Sequence, residues 1–202
     1  MTSCDFKTRK KERKKTDTAS CIRNTSICCA ETYYDPAFQK LLVDNRRHNQ
    51  WDFDLMTIPD CPGEKVFHET DEWLLARDLH RGSDNRYLVV FRNKDLYSIR
   101  DLRARHVGML QALLAFLRQW LPAQEPQLHS RYHTYFHYMP SVFQLHMHVS
   151  MRKAPDSLRA QDAHHVIRNL LRTDTWYKDA LILCNNNSGL AKSRPCDPNK
   201  LE

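Results

Sequence analysis

Apolar and polar residues alternate along two stretches of residues 132–150, on either side of Met139-Pro140-Ser141. In the second stretch Phe143, Leu145, Met147 and Val149 fall on one side of an extended chain, and Gln144, His146 and His148 on the other. A helix would scatter these positions, so the period of two predicts a strand with one buried and one polar face. Residues 86–92 are apolar through their centre, as in a strand covered on both faces. Residues 65–67 and 72–77 read as two further strands, and 82–85 and 93–95 have the composition of turns.

The period lengthens between these strands. Leu102, His106, Leu110, Leu113, Leu114 and Leu117 recur at helical spacing, which predicts one long helix. Asp101 is its expected N-cap, and Pro122 is expected to stop it near Trp120. A second helix is predicted over 158–171, and the apolar run 180–183 is expected to close the sheet. Upstream, Tyr33, Tyr34, Phe38, Leu41, Leu42 and Val43 fit a short amphipathic helix ending near Asn45. Strands, helix, strands, helix, strand is the order of an α+β fold. It predicts an antiparallel sheet of about five strands, with one long helix and a second, C-terminal helix packed against it.

Charge changes this picture only at the start of the chain. The 202 residues carry 31 Lys and Arg against 24 Asp and Glu, a net +7, with 41% apolar residues. Seven of the basic residues and only two acids lie in the first fifteen positions. Residues 1–30 therefore read as a disordered basic arm, and the remainder is nearly balanced. Residues 31–64 form a segment ahead of the sheet, 65–184 the folded domain and 185–202 a tail. Seven cysteines without a C-x-x-C pair suggest reduced thiols, hence the cytoplasm or the nucleus. No apolar run is long enough to span a bilayer and no signal-like stretch opens the chain, so no membrane partner is expected.

Two imidazoles side by side on a strand make a place for phosphate chemistry or for a metal. His137, His146 and His148 would offer three nitrogens to zinc, but no cysteine or carboxylate pattern accompanies them. Gln144-Leu145-His146-Met147-His148-Val149-Ser150 resembles the His-φ-His-φ-His-φ-φ signature of the histidine-triad superfamily, where φ is apolar. With His137-Tyr138-Met139-Pro140-Ser141 just upstream, the stretch is similar to the scavenger mRNA-decapping branch of that superfamily. The resemblance runs from about residue 51 to about 183.

The resemblance implies hydrolysis of the triphosphate bridge of a 7-methylguanosine cap dinucleotide or a short capped RNA fragment. His146 would be the nucleophile, carrying 7-methylguanosine monophosphate as a phosphoramidate. His148 would orient it, and Gln144 stands where the family has a first histidine. An amide there can donate a hydrogen bond but cannot titrate near neutral pH. His137, Ser141 and Arg159 match phosphate contacts. Trp51 matches the tryptophan that stacks on the methylated base, and Asp78 an aspartate that contacts it. His80 replaces a family lysine, and Cys61 falls where the family has an acid, for which Asp60 or Glu64 would have to substitute. No metal or other cofactor is implied, and a homodimer is. With about fifty residues ahead of Trp51, the family's separate N-terminal domain is expected to be much reduced or absent here. Two alternatives stay open. One is a histidine-triad hydrolase of a dinucleoside polyphosphate or phosphoramidate; the other is a catalytically weakened cap-binding protein.

Overall fold

The computed structural model describes residues 25–28, 33–48, 66–77, 86–126, 132–151 and 159–185. In chain order the elements are β1 (Thr25–Cys28), α1 (Pro36–His48), β2 (Val66–Glu69), β3 (Trp73–Arg77), β4 (Arg86–Phe91) and α2 (Val107–Gln124). There follow β5 (His133–His137), β6 (His146–Ser150), β7 (Ala160–Asp162), α3 (Ala163–Arg172), α4 (Trp176–Asp179) and β8 (Ile182–Asn185).

Six strands form one antiparallel sheet in the order β2-β3-β4-β6-β5-β7. β4 lies inside it, between β3 and β6, which is why residues 87–91 read as one apolar run. Alternation splits that run between two faces. Tyr87, Val89 and Phe91 join the main core with the buried faces of the helices: Phe38 and Leu42 of α1, Leu110, Leu113, Leu117 and Leu121 of α2, Val166 and Leu170 of α3. Leu88 and Val90 turn the other way, where they cluster with Leu74 and Ala76 of β3. Each fully buried leucine or valine contributes about 1.5–3 kcal/mol relative to exposure, so the helix-side core dominates the stability of the sheet.

The fold class is the expected one, with one strand more. β7 is that strand. Asp162 caps α3, its carboxylate accepting the His165 N–H at 2.9 Å, so the three residues ending at this cap stay extended and pair with β5. The run 180–183 does not close this sheet. Ile182–Asn185 pairs instead with Thr25–Cys28 in a separate two-stranded sheet, and Leu181 is 53% exposed. Thr25–Cys28 thus forms a strand within the stretch expected to be disordered; the rest of residues 1–30 lies outside the described residues, as does the expected tail from 186.

The start of the long helix also departs from expectation. Asp101 is not its N-cap. Ser98 caps a 3-10 turn, Ile99–Asp101, and Asp101 is the reciprocal member of that capping box. One carboxylate oxygen of Asp101 accepts from the backbone N–H groups of Tyr97 and Ser98 and from the Tyr33 hydroxyl, which ties the side chain back to the preceding residues. Burial pushes its carboxyl above the ordinary value, against the lowering effect of those hydrogen bonds. A second 3-10 turn, Ala104–His106, intervenes before α2 begins at Val107. Pro122 does not stop α2. It sits in the last turn, where one missing N–H matters least, and the helix closes with the Glu125 N–H on the Leu121 carbonyl.

Candidate active site

On β5 and β6 the sheet face away from the helices carries the polar side chains. Phe136, Met147 and Val149 face the helix-side core, so their neighbours His133, Tyr135 and His137 of β5 and His146, His148 and Ser150 of β6 share the opposite face. His148 lies between Leu88 of β4 and Tyr135 of β5 in register, and His146 stands opposite Val90. The histidines therefore flank a buried apolar floor of Leu74, Ala76, Leu88 and Val90.

The rings are in contact. His137 and His148 have centroids 4.4 Å apart, and His146 meets His148 edge-on at 5.1 Å. Tyr135 stacks on His148 at 5.3 Å with 17° between the planes. His146 Nδ1 lies 2.8 Å from the Gln144 carbonyl oxygen. A carbonyl only accepts, so Nδ1 must carry the proton, and in the neutral ring the lone pair then sits on Nε2. That tautomer is the one a nucleophilic imidazole needs.

Gln144 does not stand beside the histidines as the alternation suggested. Residues 141–144 form a bend and the strand starts at His146, so the period of two does not extend back to 144. The Gln144 side chain is fully buried and its amide donates to the carbonyls of Phe91 and Asn93 at the end of β4. An amide spent in this way is not presented to a phosphate or a leaving group. Its contribution to the site is its main-chain carbonyl.

The other expected residues divide into two sets. His137 is in the ring cluster. Arg159 comes to the same edge because the next residue, Ala160, pairs with His137, and the Arg159 carbonyl accepts the Tyr138 N–H at 2.8 Å. Ser141 is exposed on the bend next to Gln144. Trp51, Asp78 and His80, together with Asp60, Cys61 and Glu64, lie outside the described residues. Of the residues assigned to phosphate, His137 is the one whose ring lies in the cluster, while those assigned to the base lie outside the described residues.

Three residues that sequence reasoning passed over support the cluster. Tyr135 was legible as the i−2 neighbour of His137 on an alternating strand. Asn45 of α1 donates its amide to the Ser141 carbonyl at 3.3 Å and accepts the Phe143 N–H at 3.2 Å; nothing local in the sequence signals a contact across about a hundred residues. Arg100 is fully buried. Its Nε donates to the Tyr138 hydroxyl at 2.9 Å, and Nη1 to the carbonyls of Tyr177 at 3.0 Å and Ala180 at 2.6 Å. The guanidinium also lies 5.0 Å from the centre of the Tyr138 ring. Among the described residues no three His, Cys, Asp or Glu side chains converge to hold an ion, and no helix is long and apolar enough to cross a membrane. A groove of about 380 Å³ between α2 and α3, lined by Arg118, Tyr132 and His164 among others, is on the helix side and apart from this chemistry.

A family model described as "Scavenger mRNA decapping enzyme C-term binding" matches residues 53–164, more than half of the chain. The chain belongs to this family. The scavenger decapping family is a branch of the histidine-triad fold, a fold of nucleotide hydrolases and nucleotide-binding proteins, and the six-stranded sheet with its paired histidines is that fold. No curated protein sequence matches the chain. Among solved structures, "Hnt3 in complex with DNA and guanosine" is 16% identical, with a TM-score of 0.38 over 54% of this chain and 61% of that one. "Crystal structure of aprataxin ortholog Hnt3 in complex with DNA" is 15% identical, with a TM-score of 0.39 over 54% and 60%. The chain spans about three fifths of the length of these solved structures.

Proposed function

We propose that this chain hydrolyses the triphosphate bridge of 7-methylguanosine cap dinucleotides or short capped RNA fragments. The observation that carries the reading is the His146 ring, held at Nδ1 by the Gln144 carbonyl, which leaves the lone pair of the neutral ring on Nε2. Nε2 attacks the phosphorus nearest the methylated nucleoside. A P–N bond forms, the bridging P–O bond breaks, and a nucleoside 5′-diphosphate or diphosphate-ended RNA leaves with the electron pair. Water then cleaves the P–N bond and releases 7-methylguanosine monophosphate, with His146 restored. His148 keeps the nucleophile oriented, and His137, Ser141 and Arg159 bind phosphate oxygens, the guanidinium in bidentate fashion. Trp51, Asp78 and His80 take the base. The protein acts as a homodimer in the cytoplasm or nucleus, and neither step calls for a metal or other cofactor.

The test is mass spectrometry of the products formed from a methylated cap dinucleotide by the wild type and His146→Ala, with a chelator present. Methylated monophosphate from the wild type alone supports the reading; equal turnover by both proteins, or none by the wild type, sinks it. A second reading is favoured by the buried amide of Gln144, which leaves no titrating group at the first triad position to protonate a leaving oxygen. It is a protein that binds the cap and turns it over slowly. Tight cap binding without product distinguishes it. A third reading, a hydrolase of another nucleotide such as a dinucleoside polyphosphate or a phosphoramidate, follows from Cys61 and His80. It predicts equal rates on methylated and unmethylated caps.

A further inference from the structure

We infer that Asn45 is a positioning residue for His146, so that the helix ahead of the sheet belongs to the catalytic machinery. The inference rests on the reading of His146 as the nucleophile given above. Residues 141–144 cross from the Pro140 turn to β6 as a bend, outside the strand ladder. The side chain of Asn45 pairs with this bend at two points, donating to the Ser141 carbonyl and accepting from the Phe143 N–H. One side-chain amide here does what a neighbouring strand would do for the main chain. Immediately beyond, the Gln144 carbonyl holds the His146 Nδ1–H at 2.8 Å.

The bend is thereby fixed from two sides. On the β4 side the Gln144 amide is bound by the carbonyls of Phe91 and Asn93, and the Leu145 N–H donates to the Leu96 carbonyl at 2.8 Å. On the α1 side the hold is Asn45. The helix that presents Asn45 is itself anchored: Phe38 and Leu42 are buried in the main core, and the Phe38 ring meets the Phe143 ring edge-on at 6.4 Å. A rotation of the Ser141–Gln144 main chain would swing the Gln144 carbonyl away from Nδ1. The ring would then be released to the other tautomer, with its proton on the attacking nitrogen. Asn45 opposes that rotation from about a hundred residues away in the chain.

The experiment compares wild type, Asn45→Ala and Asn45→Asp by three measurements. The first is the ¹⁵N spectrum of the His146 ring without substrate, which reads the share of the Nδ1–H tautomer. The second is kcat and KM on the methylated cap dinucleotide, and the third is the urea midpoint. Asn45→Ala is expected to lower the Nδ1–H share and to reduce kcat by roughly tenfold to a hundredfold, as small misplacements of reacting groups do, with KM within about twofold. Asn45→Asp keeps the acceptor for the Phe143 N–H but turns an oxygen to the Ser141 carbonyl, and falls between the two. A wild-type ring spectrum and kcat in Asn45→Ala would overturn the inference, as would a loss of activity that merely tracks the urea midpoint. If the alanine variant does not fold, Asn45→Asp decides: an unaltered tautomer and kcat count against. If the wild type itself turns over no cap dinucleotide, the proposed function fails, and the ring spectrum still decides the part played by Asn45.

Discussion

Tyr135 lies flat on His148, ring centroids 5.3 Å apart, and the two residues are direct partners across β5 and β6. The stack buttresses the His148 imidazole, so its orientation is set in part by packing. Such an aromatic pair is worth about 0.5–1.5 kcal/mol beyond its buried area. Tyr135→Leu is therefore expected to lower kcat on a cap dinucleotide by roughly fivefold to tenfold, and Tyr135→Phe to leave it near the wild-type value. Steady-state kinetics of the two variants check this; equal losses in both would assign the effect to the hydroxyl.

Gln144→Leu should destabilise the fold, because the carbonyls of Phe91 and Asn93 lose their buried donor. The expected cost is about 2 kcal/mol, measured from urea unfolding midpoints. Gln144→His would restore the family residue at this position, yet it has a single N–H in the neutral ring to offer two carbonyls. No gain in turnover is expected from it. A clear rise would mean that the histidine reaches the leaving group after all.

Arg100 is a cation in the core whose acceptors include the Tyr138 hydroxyl and the carbonyls of Tyr177, Lys178 and Ala180. Arg100→Met removes the charge and the donors together. We expect a loss of about 3 kcal/mol or more, since several buried acceptors go short at once. Thermal unfolding would show it as a large fall in Tm, whereas an unchanged Tm would mean that water reaches these groups.

His106 supplies a pH dependence of stability. Its Nδ1 accepts the Arg103 N–H at 2.9 Å, which only a neutral ring can do. Burial lowers its pKa from the ordinary 6.5, with Arg105 and Arg103 acting in the same direction and Asp174 against them. The unfolded chain thus takes up this proton more readily than the folded one. Stability from this group is complete above pH 6.5 and is lost as the pH falls through the lower folded value. Urea unfolding between pH 7.5 and about 5 should show that decline, and His106→Gln should flatten it.

Much of this architecture is legible in the chain. The period of two gave β5 and β6 because one side of each is in the core, and the unbroken apolar run gave β4 because both its sides are. The helical stripe of Leu110, Leu113 and Leu117 gave α2. What escaped was set by distant partners. Asp101 has the residue type of an N-cap, yet Tyr33, Tyr97 and Ser98 share one of its oxygens, and the long helix starts only at Val107. Gln144 has the parity of the histidines, yet two carbonyls of β4 and its turn draw it inward. Ala160–Asp162 becomes a strand because β5 has an edge to cover, which no local pattern announces. The nucleophile and its neighbours could be found by motif and Tyr135 by alternation; Asn45, which pairs with the bend beside them, could be found by neither.

Among the described residues β1 and β8 pair with each other alone, and Thr25 stands directly opposite Asn185. The front and back of the described chain therefore meet at one clasp. A two-stranded ribbon is marginal by itself, so each strand is retained by its partner. Proteolytic nicking on either flank should loosen the other, and a short peptide bridge across the clasp would allow the chain to be reopened elsewhere without disturbing the histidines.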